Sequence, residues 1–293
     1  MLLTNLDKRG ASLIFGRVTG FLFWITLCFS CQNHSGTPHP DQTPAPELLT
    51  LAARTQVQNG EHWQTKERDL TWNPYETAII ICDMWDKHWC DSATARVTKM
   101  APAVNQMIQL ARKKGVTIVH APSSTMEFYK DHLGRKKAQE APEVEPPIPL
   151  SYWFDPDSTR EASLPIDDSD EGCDCPGNEP SSVWTRQIET IEILDEDLIS
   201  DSGQEIYNYF EKENINNVVL CGVHTNMCVL GRTFGIRGQV KLDRNVLLVR
   251  DLTDAMYNPE MPPYVSHREG TELVIQHIEK YWAPSVEWKD IID

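Results

Sequence analysis

Four short stretches of the chain are apolar at nearly every position: Thr77 to Cys82, Val116 to Ala121, Asn217 to Val223 and Asn245 to Val249. They are rich in Val and Ile, which is the pattern of parallel strands buried on both faces rather than of strands with one wet side. Between them the apolar period changes to that of helices. Pro102 is placed to open a helix that carries Val104, Met107, Ile108 and Ala111 on one face and stops at Gly115. Ser202 with Glu205, ahead of Ile206 and Phe210, has the spacing of a capping box, as does Ser266 with Glu269 ahead of Val274 and Ile278. The order is strand, helix, strand, a long interruption, helix, strand, helix, strand, helix. That alternation predicts an α/β fold with a doubly wound, mainly parallel sheet of five or six strands.

The interruption, 123 to 183, is rich in Pro, Asp and Glu and has no sustained period, so it is expected as an insertion over one edge of the site. Asp167, Asp168, Asp170 and Glu171 within it lack the alternation and central Gly of a calcium loop and are expected as a solvated turn.

At the start, Lys8, Arg9 and Arg17 precede an apolar run from Val18 to Phe29, too short to span a bilayer comfortably. It ends Leu27-Cys28-Phe29-Ser30-Cys31, which looks like a bacterial lipobox with Cys31 as the lipidated residue. The expected layout is a signal peptide over 1 to 31, a tether and N-terminal extension over 32 to 70, and a single hydrolase domain over 71 to 293. The protein would then be exported, as a periplasmic or cell-surface lipoprotein, touching membrane only through the lipid on Cys31.

A formal net charge of −16 over 293 residues, with no run of Lys or Arg, argues against a nucleic-acid partner. Leaving out Cys28 and Cys31, six cysteines remain of eight. Cys173 and Cys175 are too close for a relaxed mutual disulfide, and no CxxC pair or Cys/His spacing suggests a structural zinc.

In open parallel sheets ligands bind beyond the carboxyl ends of the strands. Asp83 stands at the first such end, in Ile81-Cys82-Asp83-Met84-Trp85-Asp86, where it can act chemically or merely cap a turn. Cys228 follows the Asn217 to Val223 strand, in Gly222-Val223-His224-Thr225-Asn226-Met227-Cys228-Val229. In the first turn of a helix its thiolate would be favoured by free N–H groups, and the competing reading is a small core cysteine.

Taken together, the Asp after the first strand and Gly-Val-x-Thr-Asn-x-Cys-Val at a later strand-to-helix turn resemble the isochorismatase-like cysteine hydrolases, which include nicotinamidases and related amidases. The resemblance runs from about Thr77 to Ile278. It implies a three-layer α/β/α fold and an Asp, Lys, Cys triad, with Asp83 as acid/base and Cys228 as nucleophile. It also implies a cis peptide at Val223-His224 and an oxyanion site built from the backbone of Val223, His224 and Thr225. The family's lysine has no counterpart, since no lysine occurs between Lys137 and Lys212, and Arg186 is the cation best placed to substitute.

Some nicotinamidase-like members hold a metal through an Asp-x-His pair. Asp86-Lys87-His88 imitates that pair on the wrong strand exit, and His120 is a lone candidate on the right one, so Asp86 and His88 are expected as pocket residues with Trp85 and Phe128. No metal and no cofactor are expected. The resemblance implies hydrolysis of an amide or related C–N bond in a small molecule. The alternative is a catalytically silent binding lipoprotein, motivated by the missing lysine. A homo-oligomer is compatible with the sequence.

Overall fold

A computed structural model describes residues 46–292. The signal, the lipobox and the first part of the tether lie outside these residues. The chain enters through a long hairpin, β1 (Leu49–Asn59) and β2 (His62–Trp72), followed by β3 (Thr77–Cys82), α1 (Asp91–Lys114), β4 (Thr117–Ala121) and α2 (Leu133–Gln139). Irregular chain then leads to β5 (Leu198–Ile199), α3 (Gly203–Glu213), β6 (Asn217–Val223), α4 (Cys228–Gly231) and α5 (Ile236–Lys241). The remainder is β7 (Asn245–Asp254), α6 (His267–Tyr281), β8 (Ser285–Val286) and α7 (Trp288–Ile292).

The sheet order is β2-β1-β8-β7-β6-β3-β4-β5. Every neighbouring pair from β8 to β5 is parallel, and β1 joins antiparallel to both β8 and β2. Alternate residues of each central strand feed opposite layers. Ile80, Val218 and Leu220 pack with Phe210, Val274 and Ile278 of α3 and α6. Ile79, Ile81 and Val219 pack with Val97, Val104 and Ile108 of α1, and Ile291 of α7 joins them. The doubly wound, mainly parallel architecture of three layers is thus the observed one. A fully buried Ile or Val contributes on the order of 1.5–3 kcal/mol, so these two apolar layers supply most of the stabilisation.

Three local expectations change. The hairpin lies partly within the segment 32 to 70 and adds two strands to the six parallel ones. β2 gives no apolar signal because nearly every position is exposed, as suits a charged edge strand. Pro102 lies inside α1 rather than at its start. The stripe Ala93, Val97, Ala101, Val104, Met107, Ile108, Ala111 is continuous through it, and the proline ring faces solvent, where water can satisfy the freed carbonyl. At the C-terminus Gly115 takes φ 95 and ends the helix. The box at Ser266 is complete, whereas at Ser202 only the serine caps, because Glu205 turns to Arg135 and Ser200.

The irregular insertion is pinned from beneath by Glu161. This buried carboxylate accepts Arg237 Nε at 2.8 Å and Nη2 at 2.9 Å, His277 Nε2 at 2.9 Å and Trp282 Nε1 at 2.9 Å. Burial alone would raise its pKa, but the Arg237 guanidinium and the other donors outweigh that and hold it at about 2, below its ordinary 4.5. A depressed carboxylate contributes stability above its unfolded value and loses it as pH falls through the folded one. Glu161→Gln should therefore lower unfolding free energy at neutral pH by about 3 kcal/mol, since Arg237 is left buried without its counter-ion. It should also flatten the loss of stability between about pH 4.5 and about 2. Denaturant titrations across that range are the check, and unchanged midpoints would remove Glu161 as an anchor.

Candidate active site

Asp83 leaves β3 with no exposed surface and with φ 48, a left-handed backbone rare outside glycine. Strain of this kind is kept where surrounding structure over-determines it. Here the backbone N–H of Asp83 donates to Ala121 O at 3.1 Å, its carbonyl accepts Trp85 N at 2.8 Å, and Oδ1 accepts Ser123 N at 2.7 Å. Gly222 in β6 makes the approach of the next strand possible. It takes φ 105, and a Cβ there would sit 2.1 Å from Cys82 O. Among the described residues, Oδ2 of Asp83 has no hydrogen-bond partner, and neither has the buried Ser123 Oγ. Arg232 Nε stands 3.8 Å from that free oxygen. Burial raises the Asp83 pKa above 3.8, while Arg232, Cys228 and Ser123 pull against it.

Cys228 opens α4, which is only one turn long. Burial and then the adjoining Asp83 carboxylate push its thiol well up, against backbone N–H groups of His224 and Cys228 itself. The helix start is opposed here: a single turn carries little dipole, and burial with an anion beside the sulfur favours S–H. The Val223-His224 peptide is cis. Of the three residues expected at an oxyanion site, Thr225 is already engaged. Its N–H donates to Asp254 O at 2.9 Å, and its hydroxyl pairs with Thr253 Oγ1 at 2.7 Å. Val223 stays in the β6 ladder. The backbone N–H groups that pull the Cys228 thiol pKa down are those of His224 and of Cys228 itself.

The cation beside Asp83 is Arg232, not Arg186. Arg186 is more than a third exposed, bonds Glu189 at 2.5 Å and lies over the Phe128 ring at 5.4 Å. Glu189 stands only three positions further along the chain, which makes the local surface pair easy. The guanidinium of Arg232 is 10% exposed and packs over Tyr152 at 4.4 Å, a residue of the insertion. Its signal in the sequence is its place four residues after Cys228, which one helical turn brings onto the same side. Ser123 was missed for a simpler reason: it contributes a backbone N–H.

The expected pocket residues divide. Trp85 is buried, stacks on Trp184 at 4.3 Å and donates Nε1–H to Ser123 O at 3.1 Å. His88 lies against Trp85, Trp89 and Trp184 and meets the His224 ring edge-on at 5.0 Å. Burial keeps both imidazoles neutral, His88 at about 4 and His224 at about 3. Asp86 is not free to line a pocket, because its oxygens accept Thr185 N at 2.9 Å and Thr185 Oγ1 at 2.6 Å. That pairing holds the 184–187 segment against Trp85. Phe128 is 55% exposed and lies outside the aromatic cluster.

A metal at the Asp-x-His position does not fit these residues. Asp86 is consumed by Thr185, His88 Nδ1 accepts Cys90 N at 3.1 Å, and His120 is spent on Gln187 at 3.0 Å and Asp197 at 3.1 Å.

No protein-family model matches the chain, and no curated protein matches it by sequence. Among solved structures it is similar to a cysteine hydrolase from Pseudomonas syringae pv. phaseolicola 1448A, 15% identical, over 75% of this chain and 92% of that one, with a TM-score of 0.47. An isochorismatase from Pseudomonas putida KT2440 aligns at 12% identity over 75% and 92%, TM-score 0.42. A pyrazinamidase of Pyrococcus horikoshii in complex with zinc aligns at 17% over 72% and 99%, TM-score 0.40.

Proposed function

We propose that the chain is a cysteine-dependent hydrolase that cleaves an amide or related C–N bond of a small molecule through a thioester. The observation that carries this reading is the buried Asp83 carboxylate beside the Cys228 thiol, with one oxygen fixed by Ser123 N–H and the other without a hydrogen-bond partner among the described residues. A carboxylate with a raised pKa is a stronger base than an exposed one and is matched to taking the thiol proton.

As the sulfur adds to the substrate carbonyl, the S–H proton passes to Asp83 and the carbonyl oxygen takes the negative charge. The backbone N–H groups of His224 and Cys228, which favour negative charge at the sulfur, are the donors assigned to that oxyanion. Collapse breaks the C–N bond, and protonated Asp83 gives its proton to the leaving nitrogen. Water then adds to the thioester, Asp83 accepts a proton from it, and that proton returns to the departing sulfur, so the acid is released and the thiol is restored. Ammonia or amine release by the purified protein from a panel of amides, ureides and carbamates tests the proposal. Silence across the panel, with Cys228 inert to iodoacetamide, would favour the binding-protein reading instead.

Arg232 is a positioning residue for this chemistry, because it offsets the charge on Asp83. Arg232→Met should slow single-turnover acylation at least about tenfold, equivalent to about 1.4 kcal/mol of barrier. It should also move the acid limb of kcat/KM to higher pH, since the cation that lowers the Asp83 pKa is gone. Arg232→Lys should recover part of both effects, and Arg186→Met should leave both near wild type. A wild-type pH profile in Arg232→Met would remove Arg232 from the site.

A further inference from the structure

Three cysteines from two distant segments converge beside the start of α1. Cys90 is fully buried at the N-cap of that helix, and Cys173 and Cys175 are partly exposed in the insertion. Their sulfurs all lie within 4.8 Å of one another. We propose that Cys90, Cys173 and Cys175 form a binding site for a soft divalent cation with the preferences of zinc, separate from the Asp83–Cys228 centre.

The distances favour a metal. Four ligands in a tetrahedron around an ion with metal–sulfur bonds of about 2.3 Å put neighbouring sulfurs about 3.8 Å apart. Cys90 Sγ and Cys175 Sγ are 3.8 Å apart, and Cys90 Sγ is 3.7 Å from Asp174 Oδ1. A disulfide would use two of the three thiols and leave the third without a role. The Cys-x-Cys spacing suits the ion too. It brings two thiols to one place while keeping them from a relaxed bridge with each other.

The surroundings are those of ligands held in place. Cys175 Sγ is within 3.0 Å of Ser92 N and 2.7 Å of Ser92 Oγ, at the first turn of the 24-residue α1. Donors in that position favour the thiolate that a metal requires. Asp174 Oδ2 accepts Arg96 Nη1 at 2.8 Å, which leaves Oδ1 turned toward Cys90. Arg96 continues to Asp254 Oδ2 at 2.8 Å, and the Asp254 carbonyl accepts the Thr225 N–H of the loop that carries Cys228. Three thiolates at the head of a helix suit a structural ion, and the Asp174 carboxylate stands beside one of them, Cys90. The ion would clamp the insertion to the head of α1 and steady the loop behind the nucleophile. The spacing in the sequence hides this site because Cys90 stands 83 positions or more from the pair.

The test is metal analysis of the full chain, isolated without chelator and then reconstituted with zinc or cobalt under reducing conditions. The expected result is about one equivalent of zinc per chain, and with cobalt a thiolate charge-transfer spectrum with strong tetrahedral visible bands. Cys173→Ser and Cys175→Ser, made singly so that one misfolding variant does not decide the matter, should bring zinc to background. Cys228→Ala should keep the full equivalent. Because the readout is stoichiometry and spectrum, it stands or falls independently of hydrolysis. Wild-type protein with reduced thiols that gives no cobalt charge-transfer band would overturn the site. A Cys90 disulfide to Cys173 or Cys175, found by mass spectrometry in protein folded with zinc present, would overturn it as well.

Discussion

Cys228→Ala is expected to reduce turnover by at least about a thousandfold, equivalent to about 4 kcal/mol of barrier, while the thermal unfolding midpoint stays close to wild type. The size follows from chemistry: without the sulfur no thioester can form, and Asp83 would have to activate water in a site shaped for a thiol. The constancy of the midpoint follows from packing. Cys228 is only partly buried at the edge of the layer that contains Val229 and Leu230, and alanine keeps its backbone and Cβ. A core cysteine would show the opposite pattern, with activity kept and stability lost. Turnover by Cys228→Ala on the same substrate would remove the covalent route, whatever its stability.

Much of this centre is legible in the sequence because strand ends are. β3 and β6 are unbroken apolar runs, so Asp83 and Cys228 had to emerge at adjoining carboxyl ends once the strands were paired in parallel. What stayed hidden depends on pairings that no local pattern announces. Arg232 reaches Asp83 because the helix that Cys228 opens is only one turn long and turns its side chain inward while Tyr152 of the insertion covers it. Arg186 had the right charge in the right order along the chain, yet the 184–187 segment is fixed by Asp86 and Thr185 with the Arg186 guanidinium facing Glu189. The hairpin Leu49–Trp72 was invisible for a different reason: β2 buries almost nothing, and its place in the sheet comes from main-chain pairing with β1. The cysteine cluster likewise depends on how the aperiodic insertion folds back over α1.

Asp83→Asn should lower turnover by about a hundredfold to ten-thousandfold, the range that general acid–base groups supply, without lowering stability. An amide cannot accept the thiol proton, so the first step fails, and it cannot protonate the leaving nitrogen, so the second fails with it. The stability half of the prediction is the more discriminating. Burial raises the folded pKa of Asp83 above its ordinary 3.8, so the protonated form is the one that folding favours. Such a group stabilises the fold below its unfolded pKa and loses that contribution as pH rises through the folded one, so at neutral pH the ionised side chain is a net cost. Asparagine removes the charge, keeps an oxygen able to accept Ser123 N–H, and tolerates the left-handed φ of 48 better than most residues. Arg232 then loses a counter-charge at 3.8 Å but keeps its stacking over Tyr152 and Trp153. The unfolding midpoint at neutral pH should hold or rise, and the advantage over wild type should disappear as the pH is lowered toward the ordinary aspartate range. A carboxylate present only to cap a turn or hold Arg232 would behave otherwise, with stability falling and acylation by Cys228 persisting. Midpoints of both proteins across neutral to acid pH, beside single-turnover acylation, separate the two outcomes, and a destabilised but active Asp83→Asn would take the proton-transfer role away from Asp83.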